Sequence, residues 1–323
     1  MRAVYAESIS PQAPLTGLKF GELPEPEVPE DFRRVRVLAS SLNHHDLWSL
    51  RGVGLGEEKL PMVLGCDAAG IDDDGNEVLV HGVISSPGWR DDETLDPRRS
   101  LLSERYPGTM ADYVWVPARN LVPKPPELSF SEAACLPTSW LTAYRMLFTT
   151  SPAAPGSTIL VQGAGGGVAT ALIALGSAAG FRVWATSRSA RKQEQARALG
   201  AADVFDAGAR LPERVDVVFD SVGEATWSHS LKALKPGGAV VTCGATSGPA
   251  PSADLNRIFF LQLKVFGSTM GTRDELQRLA QFVAVTGVRP AVDSVLPLAE
   301  AHAGFERMVR EEVFGKIVFD HAG

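Results

Sequence analysis

Between the apolar run TILVQ and the apolar segment VATALIALGSAAG stands Gly163-Ala164-Gly165-Gly166-Gly167-Val168-Ala169. Glycines at such a junction permit a tight turn and let the backbone approach a pyrophosphate, and the helix that follows offers unpaired N–H groups and the positive end of its dipole. A glycine run alone also fits a plain strand–helix turn; its β-α-β setting favours dinucleotide binding. The third glycine of the usual fingerprint is replaced by Val168 or Ala169, depending on register, and Ala169 still permits close helix–strand packing. No G-x-x-x-x-G-K-[ST] string occurs, so a nucleoside triphosphatase loop does not explain the motif.

The next strand decides between dinucleotides. In NAD-specific sites a carboxylate at its end, roughly 20 residues after the loop, accepts hydrogen bonds from the ribose 2′-OH. Here the strand ends Ala185-Thr186-Ser187-Arg188-Ser189, and the first acidic residue is Glu194, inside the following helix. Arg188, with Ser187, Ser189 and Lys192, offers cationic and hydroxyl donors to a 2′-phosphate instead. The cofactor expected is NADPH rather than NADH; the competing reading of Arg188 and Lys192 is a solvated basic helix start.

These residues need a parallel sheet to position them, and the second half of the chain supplies its pattern. After VPKPP, Ser129 and Glu132 form a capping box for a helix that Pro137 bends or divides. Then TILVQ, FRVWATS, ADVF, VDVVFD and AVVTC read as strands, linked by helices such as ARKQEQARALG, which Gly200 closes. Continuous apolar strands joined by helices describe a doubly wound α/β domain covered on both faces. The stretch FFLQLKVFGS reads as a further edge strand, Thr272 and Glu275 cap a helix carrying Leu276, Leu279 and Val283 on one face, and His302 shares a face with Leu298, Phe305 and Val309. Residues 1 to about 120 are different: RRVRVLASS, GNEVLVHGV and MADYVWVPARN alternate as short strands, and WRDDETLDPRRSLLSERY, lacking periodicity, reads as a surface loop.

Composition bounds the partners. With 323 residues, two domains are expected, and 45% hydrophobic against 21% charged residues is ordinary for a globular chain, which excludes disorder. A net charge of -7 without Lys/Arg blocks argues against a nucleic-acid partner. The N-terminal segment lacks an apolar stretch for a signal peptide, and no run reaches a membrane span, so a soluble, cytoplasmic protein is expected. Three cysteines, Cys66, Cys135 and Cys243, with no C-x-x-C pair, argue against a disulfide framework and against a four-cysteine zinc lobe.

LNHHDLWSLRG, LPMVLGCDAAG, GTMADYVWVPARNLVPKP, LTAY, VQGAGGGVA, ARALGA, LKPGG and GKIVF stand in the order seen in the medium-chain dehydrogenase/reductase superfamily. Over nearly its whole length the chain resembles the zinc-independent, quinone-oxidoreductase-like branch. That resemblance implies a doubly wound (Rossmann) domain, residues 123–287, inserted into a GroES-like β domain, residues 1–122 and 288–323, with hydride transfer in the cleft between them. Zinc-bearing relatives place ligands where this chain has Asn43, Cys66 and, near the third position, Thr138; one soft ligand is too few, so no metal is expected. An activated alkene conjugated to a carbonyl, or a quinone, suits a site without a Lewis acid.

The resemblance also distributes roles. Asn43 would donate its amide to a carbonyl oxygen, Asp46 would orient the loop, and His45 would relay a proton, or else be a satisfied structural histidine. Trp48, at a position where many relatives have Tyr, would shape the substrate pocket together with Cys66 and Met270. Thr142 would approach the nicotinamide, Ser221 and Val222 its ribose, and Cys243, Gly244, Ala245, Phe266, Gly267 and Ser268 its carboxamide. Cys243 also reads as a small buried apolar residue. Sheet edges pair across a two-fold axis in this family, so a homodimer is expected. The leading activity is NADPH-dependent reduction of a quinone or α,β-unsaturated carbonyl; the alternatives are an alcohol or aldehyde dehydrogenase and a catalytically silent NADPH-binding protein.

Overall fold

The computed structural model describes residues 1–322. They form two compact units: Met1–Leu141 with Met270–Gly287 and the chain from Val292 onward, and Thr142–Thr269 with Val288–Ala291.

The spine of the first unit is the ten-residue strand Phe32–Ser41. Val35, Val37 and Ala39 alternate inward, at 0–2% exposure, against exposed Arg34 and Arg36, the period a half-buried strand requires. Antiparallel partners are Ala68–Asp72, Tyr113–Pro117 and the C-terminal strand Lys316–Asp320. Glu77–Val80, Leu121–Pro123 and Val292–Pro297 complete a seven-stranded GroES-like sheet. A smaller sheet joins Leu18–Glu22, Arg2–Ala6 and Met62–Val63.

The second unit is a six-stranded, wholly parallel sheet. Its order is Asp203–Asp206, Arg182–Ser187, Thr158–Val161, Val215–Asp220, Leu234–Thr242, Lys264–Gly267. In chain order that is 3-2-1-4-5-6, the doubly wound arrangement in which ligands bind beyond the carboxyl ends of the strands.

Residues 123–141 and 270–287, which the sequence reading gave to the nucleotide half, fall in the first compact unit, and 288–291, which it gave to the first domain, fall in the second. Several local expectations need correction. The helix Arg273–Thr286 buries Leu276, Leu279 and Val283 completely, and it packs on the π-helical turn Leu136–Trp140 and on Leu121–Pro123. In FFLQLKVFGS only Lys264–Gly267 is extended, because the helix Leu255–Phe260 takes the first two residues. His302 is exposed rather than part of the core, and it faces Glu306 at 3.5 Å. The polar stretch 89–106 is not a featureless loop. Buried Asp96 accepts from Ser86 N and Oγ at 2.6 and 2.7 Å and from Arg98 N at 2.8 Å, so a short carboxylate stitches backbone that has no ladder of its own.

Candidate active site

The second unit collects the expected cofactor segments along one edge of its sheet. Gly163–Val168 follows the central strand, Ser187 and Arg188 end the next, Ser221 and Val222 follow Val215–Asp220, and Cys243–Ala245 and Phe266–Ser268 end the last two. Thr142 is buried at the start of the unit. The helix Gly167–Ala178 begins at Gly166 with no side-chain cap, which leaves its first N–H groups for an anion.

The glycines are required by space as well as conformation. Gly163 has φ +71°, and a Cβ there would meet Val222 at 2.8 Å. Gly165 has φ +149°, and a Cβ would strike the Lys192 side chain at 2.9 Å, whereas at Gly166 it would meet nothing within 4 Å. Lys192 therefore lies across the loop, its ammonium beside the turn. Exposed Arg188 sits at the end of its strand, and Ser189 Oγ caps the next helix by accepting from Lys192 N. This edge fits a dinucleotide: open helix N-terminus, close backbone approach, two cations and no carboxylate before Glu194.

Behind the loop runs a hydrogen-bond chain the sequence did not announce. Gly163 N donates to Thr186 Oγ1 at 3.2 Å, which donates to Gln162 Oε1 at 2.7 Å. Gln162 Nε2 reaches His229 Nδ1 at 2.8 Å and Ser230 Oγ at 3.1 Å, and Ser230 donates to Asp220 at 2.6 Å. Asp220 in turn accepts from the backbone N–H of Val222 and Gly223. The buried strand ends are thus tied to one another through side chains.

In the first unit the expected catalytic residues lie on and beside the helix His44–Leu50. Leu47 and Leu50, one turn apart, sink into a core with Leu42, Leu64, Met110, Phe305 and Phe319, each leucine contributing about 1.5–3 kcal/mol of apolar burial. His45 and Trp48, also one turn apart, consequently share a different face and remain only partly buried. Asp46, wholly buried at the third helical position, accepts from Asn43 N at 2.8 Å and Gly65 N at 3.0 Å, fixing the helix start to the following strand's approach. Burial pushes its carboxyl up to about 7, against the pull of those two N–H groups.

His45 Nε2 lies 3.2 Å from Ser103 Oγ, and burial lowers the ring's pKa below its ordinary value, so it is neutral at pH 7. Ser103 is fully buried and left-handed, with φ +67°, an uncommon conformation for serine that aims its hydroxyl at both His45 and Cys66. Cys66 donates its thiol to Leu102 O at 3.2 Å, and burial raises its pKa well above the ordinary thiol value. Trp48 stacks under the Arg51 guanidinium at 5.1 Å. Met270 is buried with φ +49°.

Asn43 is less available than its expected role requires. Its Nδ2 donates to Asp67 Oδ2 at 2.8 Å and to Ser41 O at 3.4 Å, while Oδ1 accepts from Lys316 Nζ at 2.6 Å. Sequence reasoning missed Lys316, Ser41, Ser103 and Gln162; the one signal was a lysine heading the apolar run KIVF. The three positions where zinc-bearing relatives carry ligands do not fit the metal. Asn43 is engaged at both ends, the Cys66 thiol is turned to a carbonyl, Thr138 offers only a hydroxyl, and the Lys316 ammonium already stands beside Asn43. Among the described residues no three His, Cys, Asp or Glu side chains converge as a metal site.

Comparison with known proteins agrees with this architecture. The model of the alcohol dehydrogenase GroES-like domain matches residues 30–126, and that of the zinc-binding dehydrogenase matches residues 167–285. The zinc-type alcohol dehydrogenase-like protein YogA of Leptosphaeria maculans is 30% identical, covering 88% of this chain and 89% of its own. The chloroplastic NADPH-dependent alkenal/one oxidoreductase of Arabidopsis thaliana is 29% identical, over 91% of this chain and 73% of its own. A crystal structure described as an NAD-dependent alcohol dehydrogenase superposes with a TM-score of 0.91 at 34% identity, covering 99% of both chains. No helix among the described residues is long and apolar enough to cross a membrane. Fold, ordered motifs and these likenesses together make the chain a member of the medium-chain dehydrogenase/reductase superfamily, in its zinc-type alcohol dehydrogenase-like branch.

Proposed function

We propose that this oxidoreductase is an NADPH-dependent, zinc-independent reductase of α,β-unsaturated carbonyls or quinones, working as a cytoplasmic homodimer. When bound, the cofactor would supply a hydride for the electron-poor carbon of the acceptor, and a proton would complete the reduction at the α-carbon or at oxygen. The observation that carries the cofactor choice is the end of the strand Arg182–Ser187: Arg188 and Lys192 with hydroxyls of Ser187 and Ser189, and no acidic residue in the chain from there to Glu194. The Arabidopsis relative's name supports both cofactor and acceptor class, and the donor set at Asn43, Cys66 and Thr138 supports independence from zinc.

The chain's own residues divide the work. Gly163–Val168 and the helix behind them would hold the pyrophosphate, and Arg188 with Lys192 would hold the 2′-phosphate. Neutral His45, tethered to Ser103, relays the proton, and Trp48 shapes the pocket. Dimerisation is supported by Leu255, Phe259, Phe260 and Val265, 46–79% exposed on and beside the edge strand Lys264–Gly267, too much apolar surface to leave to water.

Initial rates with NADPH and NADH against a panel of enones, quinones and simple alcohols, together with zinc analysis of the purified protein, test this reading. NADPH oxidation by enones or quinones without stoichiometric zinc is expected. Equal use of both cofactors would sink the NADPH assignment. Alcohol oxidation with one bound zinc would favour the dehydrogenase reading that the NAD-dependent structural neighbour suggests.

A further inference from the structure

Lys316 has no task in the reaction as proposed, yet its ammonium is fully engaged beside Asn43. Its side chain is 2% exposed, and Nζ donates to Leu42 O at 2.8 Å, Asn43 Oδ1 at 2.6 Å and Asp67 Oδ2 at 3.2 Å. An ammonium has three N–H groups, so none remains for a substrate. Asp67, at 0% exposure, receives Ser41 Oγ at 2.6 Å and Asn43 Nδ2 at 2.8 Å on the same oxygen, while its Oδ1 has no hydrogen-bond partner. A carboxylate and an ammonium this deep persist only as a pair, since removing either leaves the other charged and unpaired.

The network joins four pieces of chain at one point: the end of the strand Phe32–Ser41, the residue before the helix His44–Leu50, the approach to Ala68–Asp72, and the first residue of the C-terminal strand. Asn43 immediately precedes the helix. Whatever fixes its side chain fixes where that helix starts, and hence where His45 and Trp48 emerge.

We propose that Lys316 is the resident cation of this site and a positioning residue for its reaction, holding Asn43 and Asp67 in the fixed geometry that a bound metal imposes on its ligands elsewhere. The proposal rests on the reading that His45 and Trp48 face the substrate. The ammonium organises the helix start; it does not touch the acceptor.

Lys316→Met alone strands the Asp67 carboxylate and endangers the fold. The decisive variant is therefore Lys316→Met/Asp67→Asn, which removes both charges, compared with Lys316→Arg, which keeps the cation. We expect the neutral pair to fold, to bind NADPH within about twofold of the native affinity, and to lose about 100-fold in kcat with a smaller change in KM, the scale of loss when reacting groups are misplaced by about 1 Å. Lys316→Arg should recover most of that loss. Native kcat in the neutral pair would overturn the proposal.

A second measurement needs no turnover. In histidine-labelled protein without substrate, the His45 ring resonances, assigned through His45→Gln, should differ between native and neutral-pair proteins. Unchanged His45 signals would overturn the positioning role. A native protein that reduces no acceptor but shows the His45 change would remove the reductase reading and leave the positioning intact.

Discussion

Replacing Asp46 with Asn sets two buried-group penalties against each other. The carboxylate is wholly buried and accepts from Asn43 N at 2.8 Å and Gly65 N at 3.0 Å. Asparagine has nearly the same shape, but only one of its two terminal atoms accepts, so one backbone N–H would face an N–H. An unpaired buried donor costs about 1–3 kcal/mol. Against this stands the cost of keeping Asp46 ionised, since burial moves its pKa from 3.8 to about 7. The folded protein then holds this proton more tightly than the unfolded chain does. Stability from that proton is fully present below the unfolded value and is lost as the pH rises through the folded one. At about 1.4 kcal/mol per unit, the interval between about pH 4 and pH 7 carries on the order of 4 kcal/mol. Asp46→Asn has no proton to lose. Native protein should therefore be more stable than the variant by about 1–3 kcal/mol at pH 4, and the difference should close and reverse by pH 8. Urea unfolding of both proteins across that range, followed by circular dichroism, reads the difference directly, because groups common to both largely cancel. A stability difference that stays flat from pH 4 to 8 would refute the raised pKa and the assignment of burial as its cause.

Three other perturbations test different parts of the molecule. Arg188→Ala should weaken NADPH binding by about 10–100-fold, the equivalent of one charge-assisted bond, and leave NADH binding unchanged; fluorescence titration with each nucleotide checks it. Gln162→Leu breaks contacts to His229, Ser230 and Thr186 behind the glycine loop, so it should lose about 1–3 kcal/mol of stability and weaken NADPH binding as well, measured by thermal shift with and without nucleotide. Phe260→Asp puts a charge at the most exposed of the apolar side chains on and beside the edge strand Lys264–Gly267 and should convert the proposed dimer to a monomer with unchanged circular dichroism; a native protein that is already monomeric by light scattering would remove the dimer proposal.

What could be read from the chain was local. The glycine loop, the Ser187-Arg188 strand end and the capping boxes at Ser129 and Thr272 each depend on residues within a few positions of one another, and backbone geometry turns such spacing directly into structure. Periodicity likewise gave the parallel sheet, since strands buried on both faces read as unbroken apolar runs. The polar network around Lys316 was illegible for the converse reason. Its partners lie 249 and 273 residues away in sequence, and a buried lysine at the head of KIVF signals only that some acceptor must exist, not which one. Ser103 was hidden in a stretch without periodicity, where a single left-handed residue sets the direction of a hydroxyl. The placement of 270–287 turned on which neighbour its apolar face found, and Leu276, Leu279 and Val283 would suit either unit.

The Lys316 network also bears on which acceptors this site can reduce. A catalytic metal does two things: it orders its ligands, and it draws electron density from a bound carbonyl oxygen. An ammonium whose three hydrogens are committed to Leu42, Asn43 and Asp67 can do the first and not the second. Asn43 is constrained in the same way, because one amide hydrogen is firmly held by Asp67 and the other is turned toward Ser41. Under the proposed function, polarisation of the acceptor would then fall to the partly buried face of His45 and to the acceptor itself. Conjugation lowers the demand, since hydride addition to an enone or quinone leaves a delocalised enolate or hydroquinone anion, whereas addition to an isolated ketone or aldehyde leaves a localised alkoxide. On this reasoning the proposed preference for conjugated acceptors and the identity of the residue at 316 are one property of the site, and a variant that restores polarising power near Asn43 should gain activity first on simple aldehydes.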